Sequence, residues 1–315
     1  MRILMLGTGP FAVPTFREIL DAGHDVAALY TSPLKTHRGK QLAPASSLRE
    51  LAERRGVPIF DPADVNAPEV QPQLAGFQAD LLVVCDYGRL LAPATLAAAR
   101  LGGINLHASL LPKYRGAAPI NWAIYNGETE TGATVIRMNP QIDAGPCIAR
   151  SAVAIGPDET APELEARLAE IGARLVRDSL ERLAAGEANP IPQDQALATR
   201  APRLKKTDGA IDWGRSAHAI KNHIRAMEPW PKTFTFWHRR EGSPVRLILG
   251  PASAVDECSA APGAVVEAAG ENLVIAAGRG GLAPKAIQPS GKRLMSVGEF
   301  LRGHRVVPGD RFGPE

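Results

Sequence analysis

The chain has 315 residues, 45% apolar and 22% charged, the balance of a soluble globular protein long enough for two domains; a disordered or collagen-like chain is excluded. The opening apolar run Met1 to Leu6 is cut by Gly7, Gly9 and Pro10, too short for a signal segment or a membrane span, and three scattered cysteines (Cys85, Cys147, Cys258) without a Cys-x-x-Cys pair point to a reducing cytoplasm. The net charge of +3 is uneven, because residues 1–200 hold 19 Lys/Arg against 22 Asp/Glu whereas residues 201–315 hold 17 against 11.

The first 150 residues alternate short apolar runs with amphipathic segments, which predicts an α/β domain with a parallel sheet wrapped by helices. Strands are expected over 3–6, 26–30, 81–84, 104–106 and 134–138, and helices over 10–22, with Val13, Phe16 and Leu20 on one stripe, and over 47–55. Between 30 and 48 runs a long polar loop carrying Lys35, His37, Arg38, Gly39 and Lys40, which composition allows to be either a phosphate-reaching arm or a solvated surface loop. Leu164, Leu168, Ile171, Leu175 and Leu183 predict a long helix over 161–185, stopped by Gly186. A Pro-rich and then basic stretch over 189–208 reads as a linker between a domain at 1–188 and a second at 209–315. There, a helix over 216–227 and short strands over 234–237, 245–249 and 273–276 predict a small β-barrel-like domain.

Gly7-Thr8-Gly9-Pro10-Phe11-Ala12 follows a strand and opens a helix, a relaxed match to a dinucleotide fingerprint. The second strand ends in Tyr30-Thr31-Ser32 without the acidic residue that would hold a ribose, and Pro10 removes a backbone donor, so no NAD is expected. The glycines fit a tight turn at the sheet's switch point. The seven histidines have no ligand spacing and no metal is expected.

Asn105 and His107 lie two apart at a strand end, so their side chains share a face, and Asp143 sits at a Gly-Pro turn after another strand. In the expected parallel sheet both strand ends point to the same rim. A carboxylate orients a His and favours its cation, and such a His beside an amide donor can stabilise an oxyanion forming on a carbonyl. Ser109 lacks the Gly-x-Ser-x-Gly elbow, so direct attack by a bound amine fits better than a serine nucleophile.

The chain resembles the 10-formyltetrahydrofolate-dependent formyltransferases, and among them the methionyl-tRNA formyltransferases. The resemblance rests on the Gly-Thr-Gly-Pro-Phe-Ala-Val-Pro opening, Arg38-Gly39-Lys40, Asp86-Tyr87-Gly88, Asn105-Leu106-His107, Ser109-Leu110-Leu111-Pro112, Arg115-Gly116-Ala117-Ala118-Pro119 and Asp143-Ala144-Gly145. In the second domain it rests on Ile211-Asp212-Trp213 and Arg225-Ala226-Met227-Glu228-Pro229-Trp230-Pro231. It implies a Rossmann-like formyltransferase domain followed by an OB-like barrel. It also implies a catalytic trio of Asn105, His107 and Asp143, and a folate site lined by Ser109, Leu110, Leu111, Pro112, Tyr87 and Gly88. Arg38 and Lys40 are expected at the tRNA, with 10-formyltetrahydrofolate as formyl donor, methionyl initiator tRNA as acceptor, and a monomeric enzyme. Two departures stand out: Ala108 replaces a common Gly, and Ser32-Pro33-Leu34-Lys35-Thr36-His37 differs from the usual first loop. An amino-sugar nucleotide as acceptor is the alternative within the same chemistry, and a binding protein that has lost it is a third, against which the intact trio argues.

Overall fold

A computed structural model describes residues 1–34 and 47–315 throughout, and of the intervening stretch only the backbone of 36–37 and 40–41. Two compact units result: one comprises 1–119, 130–154 and 164–202, the other 120–129, 155–163 and 203–315.

The first unit is built on a seven-stranded sheet. Its strands are β1 (Arg2–Gly7), β2 (Asp25–Tyr30), β3 (Ile59–Phe60), β4 (Leu81–Cys85), β5 (Gly103–His107), β6 (Glu130–Arg137) and β7 (Cys147–Ala154). They lie in the order β7-β6-β5-β4-β1-β2-β3. Ile3, Leu4, Met5 and Leu6 are all buried, as are all five residues of β4. Such unbroken apolar runs are what a sheet covered on both faces requires. Leu4, Leu6, Leu82 and Val84 pack with Val65, Val70, Leu74, Leu91 and Leu96 on one face. On the other, Cys85 meets Phe11 and Thr15 at helix α1 (Ala12–Asp21), and Leu106 meets Gly172 of the long helix α2 (Ala161–Ala184). The chain runs outward from β1 to β3 on one side and from β4 to β5 on the other, leaving a switch point between β1 and β4.

The sequence expectation fails for strand direction. β1 to β5 are parallel, but β6 runs antiparallel to β5, pairing Ile104 with Arg137 and His107 with Thr134, and β7 runs antiparallel to β6. The end of β6 therefore lies beside the start of β5, and Asp143 does not reach Asn105 and His107 along a common rim. It arrives because the 138–146 loop doubles back from β6 into β7.

The second unit holds helix α3 (Ala217–Ala226), capped by Ser216, whose side chain accepts from Ala219 N, and two antiparallel sheets of five and four strands. Thr233, Thr235 and Trp237 alternate inward along the strand Thr233–His238, and Trp213, Ile220, Trp237, Leu247, Ile275, Phe300 and Phe312 share one core. Segments 120–129 and 155–163 join this unit through α3: Asn121 donates to the Ala226 carbonyl at 2.7 Å, and Arg225 donates to Gly156 and Glu159 carbonyls at 3.1 and 2.9 Å. No helix among the described residues is long and apolar enough to cross a membrane.

Candidate active site

Asp143 is the hub of the site. Its Oδ1 accepts from Asn105 Nδ2 at 3.3 Å, while Oδ2 accepts from the Gly116 backbone N–H at 2.9 Å and lies 3.6 Å from His107 Nδ1. His107 Nε2 is 2.9 Å from the Tyr114 carbonyl, which can only accept, so Nε2 carries a proton. Both ring nitrogens thus face oxygens, which fixes the orientation of the ring. The ring is 6% exposed and the Asp143 side chain 16%, so these interactions are poorly screened by water.

Local backbone geometry makes the hub. Asp143 has φ of 47° and Tyr114 of 65°, left-handed conformations that cost non-glycine residues of order 1–3 kcal/mol each and persist where surrounding structure enforces them. At Tyr114 the result is a carbonyl aimed at His107. Gly145 lets the returning loop press on β6, where a Cβ would come within 1.7 Å of the Arg137 carbonyl oxygen. That close approach accounts for the glycine in Asp143-Ala144-Gly145.

Gln193, which sequence reading passed over, holds the loop in place. Its Nε2 donates to the Asp143 carbonyl at 2.8 Å and the Gly145 carbonyl at 2.7 Å, and its Oε1 accepts from Arg115 Nε and Nη2 at 3.0 and 2.7 Å. Within the 189–208 stretch Arg200–Ala201 also pairs with Arg115–Gly116, and Thr199 Oγ1 accepts from Tyr114 N at 2.8 Å. The residues read as a linker therefore brace the Tyr114 to Gly116 turn.

Residues 1–180 match the formyl transferase family and residues 203–305 its C-terminal domain. A methionyl-tRNA formyltransferase of Citrifermentans bemidjiense is 40% identical over 99% of this chain and 96% of its own length. Another, from Moorella thermoacetica, is 41% identical over 99% of each. The chain belongs to the methionyl-tRNA formyltransferases. The fold is similar to that of an N-formyltransferase of Helicobacter canadensis crystallised with folinic acid and dTDP-3-aminofucose, at 18% identity and a TM-score of 0.66 over 91% of this chain and 98% of that one. It is also similar to that of HypX from Aquifex aeolicus in complex with tetrahydrofolic acid, at 18% identity and a TM-score of 0.61 over 98% of this chain and 50% of that one.

Among the residues that this formyltransferase family implies for folate, the structure separates loop builders from exposed positions. Ser109 and Leu111 are fully buried, and Ser109 Oγ donates to the Lys113 carbonyl at 2.6 Å, so both shape the loop from within. Leu110 and Pro112 are half-buried. Tyr87 packs its ring into the core, where burial raises its hydroxyl to about 12, and Gly88 turns the chain at φ of 74°. Leu90 and Ile142, on the loops after β4 and β6, are exposed apolar side chains that periodicity gave no reason to single out. Ala108 has no positive φ, so replacing the common glycine costs nothing in backbone strain. Arg38 and the side chain of Lys40 lie outside the described residues, as does most of the basic first loop. Among the described residues no group of three or more His, Cys, Asp or Glu is placed to hold a metal ion.

Proposed function

We propose that the chain transfers the formyl group of 10-formyltetrahydrofolate to the α-amine of methionyl initiator tRNA, with Asn105, His107 and Asp143 as the catalytic residues. The observation that carries this reading is the single carboxylate of Asp143 tying the Asn105 amide, the His107 ring and the Gly116 N–H together in a chain that belongs to this family along its whole length.

The α-amine, with a pKa of about 7.7–8.0, is partly neutral at pH 7 and attacks the formyl carbon without a protein nucleophile. Asn105 Nδ2 has a second N–H to offer the oxygen that becomes negative. His107 supplies positive charge beside it, through the Nε2–H that donates to Tyr114 in the resting site. Leu110, Pro112 and the 87–88 turn hold the folate, with Ser109 and Leu111 shaping that wall; positioning of the two substrates contributes about 7–11 kcal/mol to such reactions. Residues 1–188 carry the chemistry, 189–208 connect, and the basic 209–315 domain holds the tRNA together with Arg38 and Lys40. The enzyme acts as a monomer in the cytoplasm.

The test is transfer of labelled formyl from 10-formyltetrahydrofolate to methionyl initiator tRNA, with uncharged tRNA and an amino-sugar nucleotide beside it. Label on the methionyl ester alone is expected; label on the sugar would shift the acceptor, and no label would remove the activity.

A further inference from the structure

The glycine-rich turn after β1 is filled by the chain's own carboxylate. A Cβ at Gly9 would come 1.8 Å from Asp86 Oδ2, and Thr8 N donates to the Asp86 carbonyl at 3.1 Å. Asp86, at φ of 50°, thus ties the loop after β4 to the loop after β1, at the switch point where open α/β sheets bind ligands. Its predecessor Cys85 is registered with Leu106, the residue before His107. Adjacent strands are about 4.8 Å apart, so Asp86 enters this crevice one strand away from the trio.

The two acidic residues of the site differ in what they have left to do. Asp143 spends its oxygens on Asn105, Gly116 and His107. The carboxylate of Asp86, unlike its backbone carbonyl, has no hydrogen-bond or ion-pair partner among the described residues. Its side chain opens on solvent, yet the crevice walls crowd it, and this partial desolvation, with Glu165 of α2 as the charged group facing it, pushes its carboxyl up to about 6. A carboxyl in that range is ionised at neutral pH and well matched to accept a proton.

We propose that Asp86 accepts the proton lost by the attacking amine, which makes it a further catalytic residue of the formyl transfer. The inference rests on the acceptor amine and the trio assigned above. As the amine nitrogen bonds to the formyl carbon, the bond from that carbon to N10 of the folate breaks. The amine's proton passes to an Asp86 oxygen, and N10 takes one proton from solvent, giving the formamide and tetrahydrofolate.

The experiment is the pH dependence of kcat and kcat/KM for methionyl-tRNA in wild type, Asp86→Asn and Glu165→Gln. Asn keeps the size of the side chain and tolerates a positive φ, so the filling over Gly9 and the backbone tie to Thr8 survive. Asp86→Asn is expected to lower kcat at least tenfold with little change in KM, and to lose the second, steeper fall in rate that wild type shows below about pH 6. Glu165→Gln is expected to move that break to lower pH, because a negative neighbour no longer disfavours the ionised carboxyl. An Asp86→Asn enzyme with wild-type turnover and an unchanged acid limb would overturn the proposal while leaving the formylation reading intact. A wild type that does not formylate methionyl-tRNA would overturn both.

Discussion

Asp143 shows how one side chain can set the state of two others. Converting it to Asn keeps the volume but removes the charge facing His107 Nδ1 and turns one acceptor of the Asn105 and Gly116 N–H groups into a donor. The loss of an oxyanion donor typically costs about 10²–10³ in rate, and Asp143→Asn is expected to approach that range because it disturbs both donors; steady-state kcat on methionyl-tRNA measures it. Gln193→Ala tests the brace behind it. Removing the amide leaves the Asp143 and Gly145 carbonyls and the Arg115 guanidinium without this partner, and kcat is expected to fall about three- to tenfold with KM little changed. Unaltered kcat in a folded Gln193→Ala protein would reduce Gln193 to a loop staple. The shared face of Asn105 and His107 was legible because they obey a strand's period of two; Asp143 was expected beside them from a parallel strand, whereas that strand is antiparallel and the 138–146 loop brings it there. Gln193 was not, since it acts on backbone carbonyls from a Pro-rich stretch, and no residue spacing encodes such a contact.

At the scale of elements, the strands were legible from apolar runs but their direction was not, because pleat and periodicity are the same whichever way a strand runs. Helix α2 shows a different limit. The stripe expected from Leu164, Leu168, Ile171, Leu175 and Leu183 is only partly the buried one: Ile171 and Leu175 are half-buried, whereas Leu164, Leu168, Gly172, Val176, Leu180 and Leu183 are buried. A glycine occupies the middle of the buried line, and apolar counting skipped it. Packing explains its presence, because a Cβ at Gly172 would lie 2.6 Å from Leu106 Cδ2, and Leu106 separates Asn105 from His107 on β5. Gly172→Ala sets two effects against each other. Helix propensity gains about 1 kcal/mol, whereas overpacking a filled core costs about 1–3 kcal/mol. The Leu106 side chain is enclosed, so overpacking is expected to win by of order 1 kcal/mol. A lower melting temperature together with reduced kcat is the expected outcome, and a raised melting temperature would show that α2 can shift away.

For the whole molecule, packing and charge divide the chain differently. Residues 120–129 and 155–163 belong to the C-terminal unit because α3 draws them in through backbone carbonyls, which composition could not reveal. Charge was legible directly: residues 201–315 carry 17 Lys/Arg against 11 Asp/Glu, while residues 1–200 carry 19 against 22. A basic module tethered to a mildly acidic one has little to gain from a small acceptor with a single diphosphate, such as an amino-sugar nucleotide. It can gain from a polyanion, since each phosphate contact releases condensed counterions and makes binding fall linearly in log affinity against log salt, by about 0.7–0.9 per contact. Formyl transfer measured as kcat/KM on methionyl-tRNA is therefore expected to drop steeply between 50 and 200 mM salt, roughly tenfold or more if only a few phosphates are held. Surface ion pairs screen over the same range, so kcat at saturating tRNA serves as the control and is expected to stay nearly flat. A kcat/KM as insensitive to salt as kcat would mean that the basic C-terminal domain does not grip the tRNA backbone, and that recognition rests on the aminoacyl end alone.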